Sequence, residues 1–231
     1  MRRKPEQIRD FLGEGIELTM DPELKRAFDF EDNQVPKELR NPENVRLNKE
    51  SFRVSGDGVF YTIQGEGLSM GEPAVFLRLH VCNLRCVWCD AYYTWNPKSQ
   101  EFWTESKQWS IGETAEKVRS EWGVDNDQIP KRLVITGGEP LLQKEQIDKL
   151  ISDLGSNWFI EIETNGTIVP TEQQLQMCQF NCSPKLANSH NVRQARIRPE
   201  VIHTLIDANT MFKFVVMTDE DLDEIEQDYI Q

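Results

Sequence analysis

The chain has 231 residues, 38% of them hydrophobic, enough to fill one sizeable core. Its 26 Lys and Arg against 39 Asp and Glu give a formal net charge of −13, which excludes diffuse attraction to phosphate backbones as the basis of a function. No stretch approaches the roughly 20 apolar residues that a bilayer crossing needs, and the charged start MRRKPEQIRD has no apolar run behind it. The expectation is a soluble, cytoplasmic chain with neither nucleic-acid nor membrane partners. Five cysteines, three of them between Cys82 and Cys89, suit a reduced compartment and a metal site better than a disulfide framework.

Residues 1–50 read as an N-terminal extension of charged residues broken by Pro5, Pro22, Pro36 and Pro42, with one short helix predicted over Pro22–Phe30 behind Asp21 as a cap. Residues 51–231 read as a single α/β core. Short β-rich runs at 74–80, 132–136, 158–163, 180–182 and 211–216 alternate with helical patterns at 112–122, 143–154, 171–177 and 219–229. Strand, crossover helix and strand in repetition predict right-handed βαβ units and a parallel sheet, whose chemistry collects at the carboxyl ends of the strands.

Cys82-Asn-Leu-Arg-Cys86-Val-Trp-Cys89 follows the first strong strand with C-x3-C-x2-C spacing, which lets one loop turn three thiolates toward a common centre. Three ligands leave a centre one short, the arrangement of a metal site that must bind something else. Zinc with an exchangeable water and a four-iron, four-sulfur cluster with one open iron both satisfy that arithmetic. The further motifs favour the cluster. His80, one pleat earlier, is either a fourth ligand or a packed side chain. Thr136-Gly-Gly-Glu-Pro140 follows the next strand. Gly137 and Gly138 allow close backbone approach, and Glu139 offers an acceptor to an ammonium group. Glu163-Thr-Asn-Gly-Thr167 and Ser183-Pro-Lys185 end two later strands, with polar groups suited to a ribose or a carboxylate and a cation at Lys185.

With Trp88 at the aromatic position of C-x3-C-x-Φ-C and the glycine segment in place, the chain resembles the radical S-adenosylmethionine superfamily. Phe60-Tyr-Thr-Ile-Gln-Gly-Glu-Gly67, Gly71, Pro73, Phe76-Leu-Arg78 and Cys82-Asn-Leu84 through Asp90, from about Val59 to Val216, resemble the 7-carboxy-7-deazaguanine synthase family within it. The resemblance implies a partial (β/α) barrel with a shortened C-terminal end. It further implies a homodimer, an external electron donor, and conversion of 6-carboxy-5,6,7,8-tetrahydropterin to 7-carboxy-7-deazaguanine with loss of ammonia.

Carried over by position, Cys82, Cys86 and Cys89 ligate the cluster. Trp88, Cys89, Asp90, Gly138, Ser183, Pro184 and Lys185 meet S-adenosylmethionine, and Glu139 joins them on our own reading of the glycine segment. Ile63, Gln64, Gly65, Glu66, Arg78 and Thr136 meet the pterin; Glu66 is our own addition to the family positions. Arg78 is the natural bidentate partner of the substrate carboxylate. Two other readings share part of this pattern. A glycyl-radical activase needs the cysteines and GGEP but not Gln64, Glu66 and Arg78 as a small pocket, and a zinc or iron-sulfur binding module needs the cysteines alone.

Four departures from the family pattern stand out. Ala91 occupies the place where relatives have a magnesium-binding Thr, which puts Mg²⁺ in doubt and leaves Asp90 or Thr94 as substitute oxygens. Val81 replaces a glycine, which predicts ordinary backbone angles before Cys82. The chain stops at Gln231, before a final strand and proline of the family, and residues 1–50 are a candidate substitute cover. Cys178 and Cys182 lie by one strand without a third partner and read as buried free thiols. His190 and His203 receive no role.

Overall fold

Leu133, Ile135, Ile160, Ile162, Phe180 and Cys182 recur at every second position of three successive strands, so each strand carries one apolar edge that must be covered. The computed structural model describes residues 35–123 and 130–230; the helix expected over Pro22–Phe30 lies outside them. Seven strands make one open sheet: β1 (Ser51–Ile63), β2 (Pro73–Leu79), β3 (Ser106–Ser110), β4 (Lys131–Gly137), β5 (Trp158–Thr164), β6 (Cys178–Cys182) and β7 (Thr210–Phe212). Their order is β3-β1-β2-β4-β5-β6-β7. From β2 to β7 every pairing is parallel, as the alternating pattern predicts, and the sheet does not close. This is the expected partial barrel.

The helices that cover the apolar face are α1 (Ile111–Trp122), α2 (Lys144–Leu154), α3 (Glu172–Met177) and α4 (Pro199–Ile206), and α5 (Asp219–Ile225) follows β7. Their ends follow their sequences. Ser110 Oγ accepts from Glu113 N at 3.1 Å to start α1, and Thr171 with Gln174 forms a capping box on α3. Ala115, Val118, Ile147, Leu150 and Ile151 are sealed against Leu77, Leu133 and Ile162. Truncating one fully buried Leu or Ile to Ala in such a core costs about 2–5 kcal/mol.

Two strands were not foreseen. β1 and β3 form an antiparallel edge on β2. The run through β1 mixes buried Arg53 and Ser55 with Gly56 and Gly58, both at positive φ, where the register to β2 slips between Val54 and Val59. That bulge hides the strand's period. Residues 35–50 lie along this edge: Arg53 Nη2 donates to Glu43 O at 2.8 Å and Asn44 Nδ2 to Trp103 O at 3.3 Å. The last strand is shorter than predicted: Thr210–Phe212 pairs with β6, Lys213 N adds a hydrogen bond to Cys182 O at 2.9 Å, and residues 214–217 continue outside the ladder.

The opposite face of the sheet is different in kind. Phe76 and Arg78 on β2, Arg132, Val134 and Thr136 on β4, Glu161 and Glu163 on β5, and Asn181 on β6 point away from the helices. Its apolar members Ala74, Phe76 and Val134 pack with Phe60 as a small second cluster, with Phe60 and Phe76 stacked at 5.3 Å. Beyond them the face is polar.

Candidate active site

A cavity of about 460 Å³ lies over this polar face, a volume suited to small-molecule ligands. It is lined by Cys82, Cys86 and Cys89 from the loop after β2, by Gly137 and Gly138 after β4, by Ser183 and Lys185 after β6, and by Ile63, Gln64, Gly65 and Glu66. Arg78, Thr136, Trp88 and Asp90 line it too, so all the positions read from the sequence except Glu139 and Pro184 meet in one place.

Cys86 is buried and Cys82 and Cys89 are half-buried; desolvation pushes Cys82 up to about 12, with the charge of Glu139 adding to the effect and the Leu84 N–H opposing it. Burial also raises Cys86 and Cys89, with Lys185 pulling both back. Each sulfur meets N–H donors. Leu84 N donates to Cys82 Sγ at 3.5 Å and Asn191 Nδ2 to Cys86 Sγ at 3.3 Å. The Trp95 indole N–H lies beside Cys89, where it favours the thiolate without closing a hydrogen bond of full geometry. Among the described residues no three His, Cys, Asp or Glu side chains converge on one ion. Zinc needs its sulfurs about 2.3 Å from one point. A cluster takes each sulfur on a different iron, so three thiols from one loop, each with an N–H group beside it, fit the cluster better.

His80 is not a fourth ligand. It is sealed, with Nδ1 3.1 Å from Ser55 Oγ and Nε2 3.0 Å from the Phe102 carbonyl, and burial draws it down to about 4.

Val81 departs from its expectation: its φ is +76°, the left-handed region that β-branched residues avoid. The cause is the partner loop. Gly138 N donates to Leu79 O at 3.0 Å and Glu139 N to Val81 O at 2.9 Å, and a Cβ on Gly138 would stand 2.2 Å from Val81 O. The glycines therefore let the GGEP loop zip onto the chain ahead of Cys82.

The polar face is one connected network. Thr136 Oγ1 donates to Glu163 Oε2 at 2.6 Å, and Gln64 Nε2 lies 3.3 Å from Glu163 Oε1 and 3.4 Å from Glu161 Oε2. Arg132 Nη1 donates to Glu161 Oε1 at 2.9 Å. Asn181 Nδ2 donates to Glu161 Oε2 at 3.0 Å, while its buried Oδ1 has no partner. Gln64 does not enter from the carboxyl ends of the parallel strands as the other motifs do. β1 is antiparallel, its end beside the start of β2, so this loop reaches the polar face from the other end of the sheet.

A family model described as the radical SAM superfamily matches residues 77–182. A 7-carboxy-7-deazaguanine synthase of Pyrobaculum aerophilum is 31% identical over 172 residues, covering 73% of this chain and 69% of that protein. The chain belongs to the 7-carboxy-7-deazaguanine synthase family. A relative of the same name from Halobacterium salinarum is 33% identical over 187 residues, covering 73% of this chain and 66% of its own. The crystal structure of QueE from Escherichia coli matches with a TM-score of 0.56 at 26% identity, covering 77% of this chain and 75% of that one. The chain thus spans about two thirds of the length of these curated relatives. Membership in the 7-carboxy-7-deazaguanine synthase family makes it a radical S-adenosylmethionine enzyme with a four-iron, four-sulfur cluster. The activase and the binding-module readings fall away.

Within that family frame some expected residues stand elsewhere. Glu139 is sealed beneath the cavity: its carboxylate accepts from Leu141 N, Thr164 Oγ1 and Asn165 N at 3.0, 2.8 and 2.7 Å. It braces two loops and does not meet an ammonium. Pro184 is absent from the lining that Ser183 and Lys185 share. Glu66 lines the cavity with its carboxylate held by Lys213, a lysine just past β7 that sequence reasoning passed over. A lone cation in Met211-Phe-Lys-Phe-Val-Val216 was the available signal. Asn181 was also missed as a member of the site, and Glu163 entered the sequence reading only within the Glu163–Thr167 string.

Of the two substitute magnesium oxygens, Thr94 is sealed with its hydroxyl on Ala91 O at 2.8 Å, and Asp90 lines the cavity. Cys178 and Cys182 are buried free thiols, as expected. Among the described residues no helix is long and apolar enough to cross a membrane.

Proposed function

We propose that this chain converts 6-carboxy-5,6,7,8-tetrahydropterin to 7-carboxy-7-deazaguanine with loss of ammonia. The observation that carries the reading is the meeting, in one cavity, of three thiols, an Arg78 with no ion pair among the described residues and a polar network that joins Gln64, Thr136 and Glu163. Cys82, Cys86 and Cys89 would hold the cluster, and Trp88, Asp90, Gly138, Ser183 and Lys185 the S-adenosylmethionine. Together these groups supply a carbon-centred radical when bound.

The chain's own residues orient the pterin. Arg78 stands over the Phe60 ring at 5.5 Å and makes no ion pair among the described residues, so its guanidinium is open to a substrate carboxylate. Each oxygen of Glu163 already accepts one hydrogen bond and retains a lone pair for the N–H edge of the pterin ring. Ile63 and Gly65 extend the same wall, and Thr136 fixes the Glu163 carboxylate. The Glu66–Lys213 pair spans the mouth. The sheet and its loops thus align the substrate and keep water off it.

The same reading includes an external one-electron donor, a cytoplasmic location and a homodimer. The exposed Ile63, Leu68 and Met70, each over 60% accessible, offer an apolar surface for a second copy. Mg²⁺, if part of the reaction, would rest on Asp90 and the substrate's own oxygens. The test is anaerobic reconstitution with iron and sulfide, then incubation with reductant, S-adenosylmethionine and the carboxypterin. Mass spectrometry is expected to find 7-carboxy-7-deazaguanine and free ammonia. Accumulation of 5′-deoxyadenosine with the pterin untouched would overturn the substrate.

A further inference from the structure

We propose that Asn191 is a positioning residue that sets the reduction potential of the cluster by donating its side-chain N–H to the sulfur of Cys86. The inference rests on the cluster reading and goes beyond it, since Asn191 belongs to none of the motifs that define the site.

Asn191 Nδ2 is 3.3 Å from Cys86 Sγ, and its Oδ1 accepts from the backbone N–H of Arg85 at 2.9 Å. The second contact fixes the first. A backbone N–H requires an acceptor, so the carbonyl end of the amide must face Arg85 and the NH₂ end must face the sulfur. One side chain therefore grips both a cluster ligand and the residue before it.

The segment that carries Asn191 is laid against the cysteine loop along its length. Trp88 Nε1 donates to Asn188 Oδ1 at 3.0 Å and Val87 N to Ser189 O at 3.2 Å. After these contacts His190 turns the chain with φ +59°, which brings Asn191 back over Cys86. The far side of the segment is anchored too. Asn188 Nδ2 donates to Asp221 Oδ2 at 2.9 Å, and the same oxygen of this buried Asp accepts from Met217 N and Thr218 N. A donor tied down at this many points is not a rotamer passing by.

An N–H donor on a ligand sulfur stabilises the more negative, reduced form of a cluster and so raises its potential.

The full chain, reconstituted anaerobically, is titrated against redox mediators with the reduced cluster followed by electron paramagnetic resonance. Wild type is compared with Asn191→Ala, Asn191→Asp and Asn191→Gln. N191D is isosteric and still accepts from Arg85, so it holds the loop while placing an acceptor on the sulfur; N191Q keeps a donor. The expected result is a more negative midpoint for N191A, a larger shift for N191D, and a midpoint near wild type for N191Q. At a fixed poise the reduced signal falls several-fold in the order wild type, N191A, N191D at equal iron content. A cluster lost from N191D and retained by N191Q, with both metal-free chains melting like wild type, supports the same conclusion. Equal midpoints in N191D and N191Q would overturn it. A wild-type chain that takes up no four-iron cluster would instead overturn the cluster reading beneath it.

Discussion

The backbone of Gly138 and that of Val81 are in direct contact: a methyl group on the glycine would stand 2.2 Å from the Val81 carbonyl oxygen. Gly138→Ala must therefore push the GGEP loop off the chain that leads into Cys82. Overpacking of this kind costs about 1–3 kcal/mol. We expect a lower melting temperature and a fall in iron content on reconstitution. Wild-type iron content at a wild-type melting temperature would refute the contact's importance.

Val81 itself holds a strained angle. Left-handed backbone costs a non-glycine residue about 1–2 kcal/mol, and glycine gives back about 0.5–1 through its looser unfolded chain. Val81→Gly is expected to raise stability in urea by up to about 1 kcal/mol. A loss instead would mean that the packing of the half-buried valine outweighs its strain.

Arg132 and Glu161 form the most deeply placed ion pair of the polar face, with side chains 13% and 0% exposed. Arg132→Met strands a buried carboxylate and should cost about 3–5 kcal/mol. Adding Glu161→Gln should return much of this, and a double-mutant cycle in urea measures the return. Additive costs would show that the two residues do not depend on each other.

The pH dependence of stability should carry the mark of His80, whose folded pKa of about 4 lies below the ordinary 6.5. The unfolded chain takes up a proton that the native state refuses. Stability is therefore full above about pH 7 and falls as pH drops through 6.5 toward 4. The loss reaches about 2 kcal/mol at pH 5 and about 3 kcal/mol below pH 4. His80→Gln should lack this component. Parallel pH profiles of the two proteins, measured by urea unfolding, would contradict it.

Arg78→Ala should separate binding from cofactor cleavage. Loss of a charge-assisted contact is worth about 1.5–3 kcal/mol, so the KM for the pterin should rise about 10- to 100-fold. Cleavage of S-adenosylmethionine without pterin should persist. If cleavage vanished together with binding, Arg78 would belong to the cofactor's side of the cavity.

Much of this was legible from the sequence because strand period and motif order report the same geometry. Leu133-Val-Ile135 and Ile160-Glu-Ile162 announce parallel strands, and the cysteine, glycine and SPK strings each follow one, which places them together. β1 was hidden because its glycine bulge breaks the period and its buried positions include Arg53 and Ser55. Val81 was misjudged because its angle is imposed by Gly138 and Glu139, more than fifty residues away. Glu139 looked like a ligand for the same reason: a carboxylate in a loop reads as exposed until Thr164 and Asn165 are seen to enclose it. Lys213 and Asn191 belong to segments without any motif, and only the fold brings them to Glu66 and Cys86.

Because neighbouring residues of β4 and β5 face opposite sides, inserting or deleting one residue in either strand would swap charged groups into the helical layer and aliphatic ones into the cavity. Strand length is thus frozen by two incompatible environments at once. Relatives that acquire a new substrate must do so by point replacement or by lengthening the connections, never by sliding a strand.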